Sequence, residues 1–414
     1  MGAELTPFST ETVDRRCIGG RSESGLGETE TASAIKRGER MSARGARVLM
    51  LARGVPEAAA SRYRLHQFIP GLEGDGFRCT YEALFPQAYI EGLARGDRHH
   101  LLAGVACARR ALSCFSARRY DVLLMEKELI PFVPWILERW MLRGNRPLVV
   151  DYDDAISHRY DQSQSVIVRR LLGGKISDVM RKADCVLVGN RYLASVARSA
   201  GARWVELFPT VVDLGKYPAA PAARQGRSLR VGWIGSPTTV QYLRLIEDEL
   251  REFCRTRMAR MVVIGSPPTE QFRFPVERHR WSQATEAAVL ASCDIGVMPL
   301  TDTPWERGKC GLKLIQFMAC YLPVVASAVG ANLEIVEEGG SGFLVKSPAG
   351  WKSALERLAG DKELRQQMGS RGREIVEERY NLQEAAPHLS AVLKRVLERS
   401  SRLAVGAAGH GGIV

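Results

Sequence analysis

Short apolar runs alternate with longer amphipathic segments through the first half of the chain. Each run is almost continuous in Val, Leu, Ile, Met or Phe. Such runs, separated by segments of helical length, are typical of parallel strands that are buried on both faces of a sheet. The pattern predicts a Rossmann-like domain with strands at 47–51, 121–125, 147–150, 185–188 and 205–208.

The second half of the chain repeats this alternation. It predicts strands at 229–234, 260–264, 277–281, 294–299 and 323–326. Apolar residues at helical spacing indicate helices at 238–255 and 309–321. From Pro348 the pattern is helical almost to the end, with a break near Tyr380. The sequence therefore predicts an α/β protein with two Rossmann-like domains.

The chain of 414 residues is long enough for two domains of this kind. Its first strand is not followed by G-x-G-x-x-G, which argues against a dinucleotide-dependent dehydrogenase. The N-terminal extension and the Gly- and Ala-rich tail are expected to be disordered, and Met41 is a candidate start. The predicted boundaries are an extension at 1–45, a first domain at 46–217, a linker at 218–228, a second domain at 229–382, a last helix at 383–402 and a tail at 403–414.

A formal net charge of +12 predicts a polyanionic partner or an anionic membrane, and arginine-rich solvated helices are the alternative. The chain has no recognised nucleic-acid motif, so we expect no nucleic acid partner. No run reaches the roughly 18 apolar residues that span a bilayer. The helix near 135–141 has the composition of an interfacial helix, although packing on its sheet explains it equally. Nine cysteines without C-x-x-C predict reduced thiols, a cytoplasmic location and no structural zinc.

Candidate phosphate-binding residues are concentrated at the start of the predicted helix at 309–321. Lys309 and Lys313 are four residues apart and lie on one side of its first turn. The macrodipole is positive at this end and the first N–H groups are free, so two cations are poorly placed here unless an anion binds. With Gly311 allowing close approach, these residues predict a diphosphate site.

A second group of polar residues follows the predicted strand at 147–150. Asp151 and Asp153 alternate onto one face of the chain, and Asp154 and His158 follow in the loop. Clustered carboxylates repel one another, so we expect them to serve a function. The structural alternative is that Asp154 caps a helix and His158 is solvated. The first pair is also a D-x-D sequence, which suits a divalent metal, but a lysine-based phosphate site removes the need for one.

Two loops supply the remaining candidates. Ligands of open α/β sheets bind beyond the carboxyl ends of the strands. Arg62 and Arg64 follow the first strand and are candidates for an acceptor phosphate or the donor diphosphate, with surface charges as the alternative. Gly235 and Ser236 follow the first strand of the second domain, where a tight loop would meet the diphosphate.

Three runs of the second domain resemble family 4 glycosyltransferases. They are VGWIGSP at 231–237, CDIGVMPL at 293–300 and MACYLPVVASAVGANLEIVEEGGSGFLV at 318–345. That family consists of retaining enzymes of the GT-B fold, in which two Rossmann-like domains face each other across a cleft and a C-terminal helix crosses back to the first domain. The resemblance implies an acceptor domain followed by a nucleotide-sugar domain.

The chain departs from this family at the E-x7-E motif, whose glutamates hold the donor sugar and the ribose. The matching positions are Gly308 and Gln316. Gln316 can still bind a ribose hydroxyl, and Glu306 is the candidate replacement for the first glutamate. The family's basic pair after the first strand of this domain is also absent, so we infer that Lys309 and Lys313 take over its phosphate role.

The resemblance implies roles for further residues. Trp281 matches the place where the nucleobase is held, and Glu334 matches a position near the donor. Asp153 or Asp154, with His158 close by, matches the histidine that faces the reacting sugar. A core tryptophan and an acid at a helix start are the structural alternatives for Trp281 and Glu334.

The implied function is hexosyl transfer, with retention, from a nucleoside-diphosphate sugar to a hydroxyl of a glycolipid or polysaccharide precursor of the cell envelope. The partners would be the nucleotide sugar, a glycan or lipid-linked acceptor and the inner face of an anionic membrane, with no cofactor and no metal. Two alternatives stay open from the sequence. The chain could be a catalytically inactive homologue that acts as a scaffold in polysaccharide assembly, or a sugar-nucleotide epimerase of the same fold.

Overall fold

The computed structural model describes residues 45–89, 92, 100–142, 146–221 and 228–409. Most of the predicted disordered extension, at 1–44, and the centre of the predicted linker, at 222–227, lie outside these residues.

Two six-stranded parallel sheets form the framework of the protein. The first consists of β1 (Arg47–Ala52), β2 (Arg78–Ala83), β3 (Val122–Glu126), β4 (Leu148–Tyr152), β5 (Cys185–Val188) and β6 (Val205–Leu207). The second consists of β7 (Arg230–Ile234), β8 (Arg260–Ile264), β9 (Val276–His279), β10 (Ile295–Met298), β11 (Val324–Ser327) and β12 (Gly342–Val345). The strand orders are β2-β1-β3-β4-β5-β6 and β12-β11-β10-β7-β8-β9, and all pairs are parallel. The predicted architecture of two Rossmann-like domains is confirmed.

Helices connect the strands and cover both faces of each sheet. The first domain contains α1 (Ala59–Arg64), α2 (Ile69–Gly74), α3 (His100–Ser113), α4 (Trp135–Met141), α5 (His158–Asp161), α6 (Val166–Leu172), α7 (Lys175–Lys182) and α8 (Arg191–Ser199). The second contains α9 (Glu247–Arg257), α10 (Glu286–Ala291), α11 (Pro304–Arg307), α12 (Leu312–Ala319), α13 (Asn332–Ile335), α14 (Pro348–Gly360) and α15 (Lys362–Arg379), and α16 (Leu382–Gly409) ends the described chain. Short 3-10 helices lie at His66–Phe68, Cys114–Arg119, Leu214–Lys216 and Val240–Ile246.

The structure contains two edge strands that the apolar pattern did not predict. β2 is polar and mostly half-buried, because it pairs with β1 alone at the edge of its sheet. β12 is short and follows a glycine-rich turn, and it also forms an edge. An edge strand need not be continuously apolar, which explains why β2 was missed. β12 is apolar, but its run of Phe, Leu and Val is too short to stand out after the glycine-rich turn.

The helix predicted at 309–321 is shorter in the structure, where α12 begins at Leu312. Gly311 has φ +65°, in the left-handed region, and precedes the first helical turn. A Cβ atom at this glycine would lie 2.1 Å from Ile335 Cδ1. Residue 311 therefore needs glycine both for its backbone conformation and for close approach, and it separates α12 from the loop before it.

The last helix, α16, crosses back and packs on the first domain. One side of this helix is buried in a core cluster with residues of β1, β3, β4 and β5, on one face of the first sheet. The helix residues in the cluster include Leu389, Val392, Leu393 and Val396. The two crossings between the domains run side by side, since the chain at Val212 pairs with the chain at 380–382. α16 continues to Gly409, into the stretch at 403–414 that the sequence analysis expects to be disordered. This stretch is rich in Ala and contains no proline, so it continues the helix.

Within the ranges that the structure describes, none of the helices combines the length and the apolar character that crossing a bilayer requires.

Candidate functional site

Loops at the carboxyl ends of the two sheets meet, and one loop of the second domain bridges them. This bridging loop, residues 303–311, belongs to the connection between β10 and α12 and includes the short helix α11. Asn190 at the start of α8 donates its side-chain amide to the carbonyls of Arg307 (3.2 Å) and Lys309 (3.0 Å). Cys310 is buried in the core of the first domain. The first domain therefore fixes the conformation of the bridging loop.

Gly308, which the sequence analysis matched to the first glutamate of the E-x7-E motif, lies at a close point of this contact. A Cβ atom on Gly308 would lie 2.4 Å from Ala155 Cβ and 2.6 Å from Ala155 N. Gly308 has φ −78°, which any residue adopts, so the lack of space alone requires glycine here. With the domains in this arrangement, a glutamate does not fit. The packing of the two domains thus leaves no space for a side chain at residue 308.

The structure brings Lys309 and Lys313 together at the start of α12, facing Asp154 of the first domain. Lys309 Nζ lies 3.9 Å from Asp154 Oδ1 and 5.9 Å from the centre of the Tyr242 ring. Lys313 Nζ lies 4.8 Å from the centre of the Trp233 ring. Burial, and then the charge of Lys309, lower the pKa of Lys313 to about 7, although Asp154 acts in the opposite direction. An anion between the two lysines would relieve their repulsion.

The loop after β7 forms the other side of this lysine pair. Ser236 N donates to Thr239 Oγ1 at 3.1 Å, and Lys313 Nζ donates to the same oxygen at 3.5 Å. Gly235 is packed closely, since a Cβ atom there would lie 2.6 Å from both Thr239 Oγ1 and Trp233. Ser236 itself is exposed. The loop thus presents a hydroxyl and a compact backbone beside two lysine ammonium groups, which are groups that bind phosphate oxygens.

Glu306 lies beside these groups and is already hydrogen-bonded within its own domain. The Tyr242 hydroxyl donates to Glu306 Oε1 at 2.5 Å, and the Thr303 hydroxyl donates to Oε2. The residue is buried. To bind a donor sugar in place of the missing glutamate, Glu306 must release one of these two hydroxyls.

One cation that the sequence analysis did not single out holds both Asp153 and Asp154. Lys127 Nζ lies 2.7 Å from Asp153 Oδ1 and 3.2 Å from Asp154 Oδ2. Burial raises the pKa of Asp153, but Lys127 and Arg64 together lower it more, and the net pKa is below its usual value. Asp153 is therefore ionised at neutral pH. Lys127 lies within an E-K-E sequence that resembles a surface loop, and only its place directly after the buried strand β3 could have indicated its role.

His158 has partners for both ring nitrogens inside the first domain. Nδ1 lies 3.0 Å from an oxygen of Asp161, and Nε2 lies 2.8 Å from the Tyr192 hydroxyl. Neither partner belongs to the group around Lys127 and the two aspartates. The sequence analysis expected His158 to lie close to Asp153 or Asp154. In the structure, its ring nitrogens are bound to Asp161 and Tyr192 instead.

Arg64, a candidate for phosphate binding, has structural partners in the first domain. Its guanidinium is fully buried and binds Asp151 in a bidentate pair, with distances of 2.9 and 2.5 Å, and donates to Thr210 at 3.3 Å. These bonds argue against a phosphate role for Arg64. Asp151 is equally committed, so the D-x-D aspartates bind Arg64 and Lys127 separately. In the described part of the chain, no group of three or more His, Cys, Asp and Glu residues is placed to hold a metal ion.

Arg62 and Trp281 also have structural partners, in a buried cluster between the domains. Arg62 Nη2 lies 3.1 Å from Glu286 Oε1, and Trp281 Nε1 donates to Glu286 Oε2 at 2.6 Å. The Arg62 guanidinium lies over the rings of Tyr63 (4.5 Å) and Trp281 (4.9 Å). Because α1 belongs to the first domain and α10 to the second, this ion pair links the two domains. The pair uses Nη2 of Arg62, while the buried Nε and Nη1 have no hydrogen-bond partner among the residues that the structure describes.

Gln316, the second position of the motif, belongs to the same buried cluster. It is almost fully buried, and its amide nitrogen donates to the hydroxyls of Tyr63 (3.2 Å) and Tyr217 (3.3 Å). Burial raises the pKa of Tyr63 to about 12, so this hydroxyl stays protonated. In this arrangement the amide nitrogen of Gln316 is not available to a ribose.

Glu334 contacts the first domain as well. Its carboxylate accepts a hydrogen bond from the backbone N–H of Arg191 at 3.2 Å, at the first turn of α8. An acid is favourable at a helix N-terminus. Glu334 also lies in the first turn of its own helix α13, as the structural alternative expects, so it is placed at two helix starts.

Comparison with known proteins gives one family match and several similar chains. Residues 228–361 match the model of the glycosyl transferases group 1. N-acetyl-alpha-D-glucosaminyl L-malate synthase of Bacillus anthracis is 31% identical over 94 residues, which are 22% of this chain and 25% of that protein. D-inositol 3-phosphate glycosyltransferase of Kineococcus radiotolerans is 26% identical over 371 residues, 77% of this chain and 81% of that protein. The match to the first of these relatives thus spans only a quarter of its length.

A solved structure shows that the likeness of fold extends over both domains. HepE of Anabaena, in complex with UDP, has a TM-score of 0.62 at 15% identity, covering 84% of this chain and all of that chain. The same protein has been solved with UDP-glucose. The two parallel sheets and the returning helix match the GT-B arrangement of such structures, so the predicted GT-B fold is confirmed.

Proposed function

We propose that the protein is a retaining glycosyltransferase, because residues 228–361 match the model of the group 1 glycosyl transferases and the chain has the GT-B fold. The donor would be a nucleoside-diphosphate hexose. The acceptor would be a hydroxyl of a glycolipid or polysaccharide precursor. The complexes of HepE with UDP and UDP-glucose favour a uridine nucleotide.

The lysine pair at the start of α12 is the observation that carries this proposal. Lys309 and Lys313 converge beside the hydroxyl of Thr239, with a pKa of Lys313 that burial and the neighbouring lysine lower to about 7. A diphosphate would bring negative charge to this place and restore the full charge of Lys313. Since charge builds on the departing diphosphate during transfer, cations fixed at this point stabilise the transition state.

The remaining residues would orient the substrates. Gly235, Ser236 and Gly311 would contribute close backbone approach to the phosphates. Asp153 and Asp154 would face the reacting sugar from the first domain, where an oxocarbenium-like centre favours carboxylates. Glu306 would contact the donor sugar after exchanging a hydroxyl partner for it. We propose no metal, because the lysine pair supplies the charge that a metal would supply.

The lysine pair can be tested directly by substitution. Lys309→Ala and Lys313→Ala should each cost about 2 to 4 kcal/mol of transition-state stabilisation, measured from kcat/KM. Lys346→Ala is a control, because that lysine is an exposed residue of the same domain. Wild-type turnover in both lysine variants would refute the assignment. Full activity in the presence of EDTA would support transfer without a metal.

The donor can be identified by thermal shift with UDP, GDP, ADP, CMP and their common sugars, with and without magnesium. A ligand at 100 times its Kd stabilises the folded state by about 2.7 kcal/mol, a shift of a few degrees. A selective shift with one nucleotide that is lost in Lys309→Ala would identify the donor base.

The inactive scaffold is a second candidate, favoured by the inter-domain contacts. Gly308 leaves no space for the motif glutamate, and Gln316 and Arg62 are bound inside the protein. A protein of this kind would bind no donor productively. Release of nucleoside diphosphate from a nucleotide sugar by the wild type, absent in Lys313→Ala, would exclude it. A new sugar nucleotide formed without acceptor would instead indicate an epimerase.

We also propose peripheral contact of the first domain with an anionic membrane. Helices α3, α4 and α6 cover the same face of the first sheet, because their inner residues share one core cluster. Their outer sides expose large apolar residues beside exposed arginines. The apolar residues are Leu101, Val105, Leu112, Phe115, Ile136, Trp140, Ile167 and Leu171, and the arginines are Arg109, Arg118, Arg119, Arg139, Arg169 and Arg170. Apolar side chains for the acyl boundary and cations for lipid phosphates are the combination that interfacial surfaces show.

Vesicle flotation tests this contact. The protein should float with vesicles that contain phosphatidylglycerol and remain unbound with phosphatidylcholine alone, and added salt should weaken binding. Ile167→Asp with Leu171→Asp should reduce flotation, whereas Leu333→Asp, an exposed leucine of the second domain, should not. Equal flotation with both lipids in all variants would contradict the proposal.

A further inference from the structure

Lys127 adopts a backbone conformation that is unusual for a lysine. It directly follows β3 and has φ +64°, in the left-handed region. Its N–H donates to the carbonyl of Asp151 at 2.9 Å, which ties it to the end of β4. A non-glycine residue in this region is uncommon, and such residues occur often at functional sites, where the surrounding structure holds them in place.

The loop around Lys127 is held by a buried ionic cluster. Lys175 Nζ lies 2.7 Å from an oxygen of Glu128 and 2.8 Å from an oxygen of Glu138, and it donates to the carbonyl of Ile130 at 2.7 Å. All of these groups are buried. The conformation of Lys127 is thus fixed from both sides of the loop, and its side chain has little freedom to change partners.

The side chain of Lys127 continues a line of charges across the domain boundary. Its ammonium group lies 2.7 Å from Asp153 and 3.2 Å from the Oδ2 of Asp154. The other oxygen of Asp154 lies 3.9 Å from Lys309 Nζ, in the second domain. Burial lowers the pKa of Lys127, but Asp153, Asp154 and Glu126 raise it more, so Lys127 is charged at neutral pH. Asp154 is therefore shared between Lys127, whose position is fixed, and Lys309, which is available to a phosphate.

We propose that Lys127 is the positioning residue of the transfer reaction. It fixes Asp153 and Asp154 beside the donor site, so that Asp154 keeps its orientation toward the reacting sugar when the diphosphate takes over Lys309. Lys127 itself touches neither substrate. This inference rests on the proposed glycosyltransferase function.

The experiment measures release of nucleoside diphosphate by the full-length protein, with whichever of UDP-glucose, UDP-N-acetylglucosamine and GDP-mannose the wild type turns over fastest. Lys127→Asn removes the charge and introduces a residue that tolerates the left-handed region. Lys127→Arg retains the charge. Lys182→Asn is the matched control, because Lys182 is exposed at the end of α7. If Lys127→Asn fails to fold, Lys127→Gly replaces it, since glycine suits this backbone best.

Lys127→Asn should lower kcat by about 100-fold, the effect of misplacing a reacting group by about 1 Å, with little change in the KM for the nucleotide sugar. Lys127→Arg should recover most of the loss, and Lys182→Asn should behave as wild type. A kcat in Lys127→Asn within about twofold of wild type would overturn the inference while the proposed function stands. Equal losses in the Arg and Asn variants would also overturn it, because they would assign the effect to packing. Absence of wild-type turnover with all three nucleotide sugars would refute the proposed function itself.

Discussion

Replacing Gly308 by alanine should loosen the contact between the two domains. The new Cβ atom would lie 2.4 Å from Ala155 Cβ and 2.6 Å from Ala155 N, where ordinary contact begins near 3.4 Å. Neither neighbouring atom can move by a change of rotamer. The overlap of about 1 Å must therefore be relieved by a shift of the bridging loop away from the first domain.

The cost follows from the geometry. Overpacking of this kind costs about 1 to 3 kcal/mol. Since φ at Gly308 is −78°, alanine adds no backbone strain. The closed and open forms are both folded, so the loss of about 1 to 3 kcal/mol lowers the ratio of closed to open forms by about 5- to 150-fold.

Hydrogen exchange and small-angle scattering measure this opening. In Gly308→Ala, amides around Ala155 and Asn190 should exchange faster and the radius of gyration should rise. Gly360→Ala is the matched control, because no atom lies within 4 Å of a Cβ added there. Adding Ala155→Gly should restore only part of the wild-type behaviour, since the Ala155 backbone remains in place. Unchanged exchange and scattering in Gly308→Ala would refute the argument that close packing excludes a side chain here.

Three further predictions concern charge and packing. The affinity for UDP, measured by calorimetry, should fall as the pH rises from 7 to 9. The pKa of Lys313 is about 7 in the free protein and a bound diphosphate raises it, so binding at higher pH requires the uptake of a proton. In Lys313→Arg, which stays charged, the affinity should not change over this pH range. Glu286→Gln should lower the free energy of unfolding in urea by about 3 to 5 kcal/mol, because it leaves the Arg62 charge buried without its partner. The double variant Arg62→Met with Glu286→Leu should recover most of this stability. Equal stability of the single and double variants would contradict the prediction. Leu389→Ala and Leu393→Ala should each cost about 2 to 5 kcal/mol, since both are fully buried beneath the first sheet, whereas the exposed Leu333→Ala should be nearly neutral.

The sequence was informative where one residue's role depends on its own element. Continuous apolar runs predicted the central strands. The spacing of Lys309 and Lys313 predicted one shared site on the first turn of a helix; in the structure Lys309 lies in the bridging loop before α12 and Lys313 on its first turn, and both are close to Asp154. The edge strand β2 was missed because a strand with one neighbour need not be apolar on both faces, and β12 was missed because its apolar run is short.

The sequence was less informative where a role depends on a distant partner. Arg64 looked available for a phosphate because nothing in its own loop shows that Asp151, far along the chain, neutralises it. Lys127 looked like a surface residue for the converse reason, since Asp153 and Asp154 reach it only through the pairing of β3 with β4. Long-range ion pairs leave no periodic signal, so a single sequence does not reveal them.

The returning helix α16 also bears on how the protein is made. The first domain needs Leu389, Leu393 and their neighbours to cover one face of its sheet, yet about 190 residues separate them from the end of β6. A ribosome adds roughly 5 to 20 residues per second, so that apolar face waits about 10 to 40 s for its cover. During this interval the second domain can complete its own core while the first cannot. We therefore expect the domain that is synthesised first to finish folding last, and nascent chains to engage chaperones through the face that α16 later occupies.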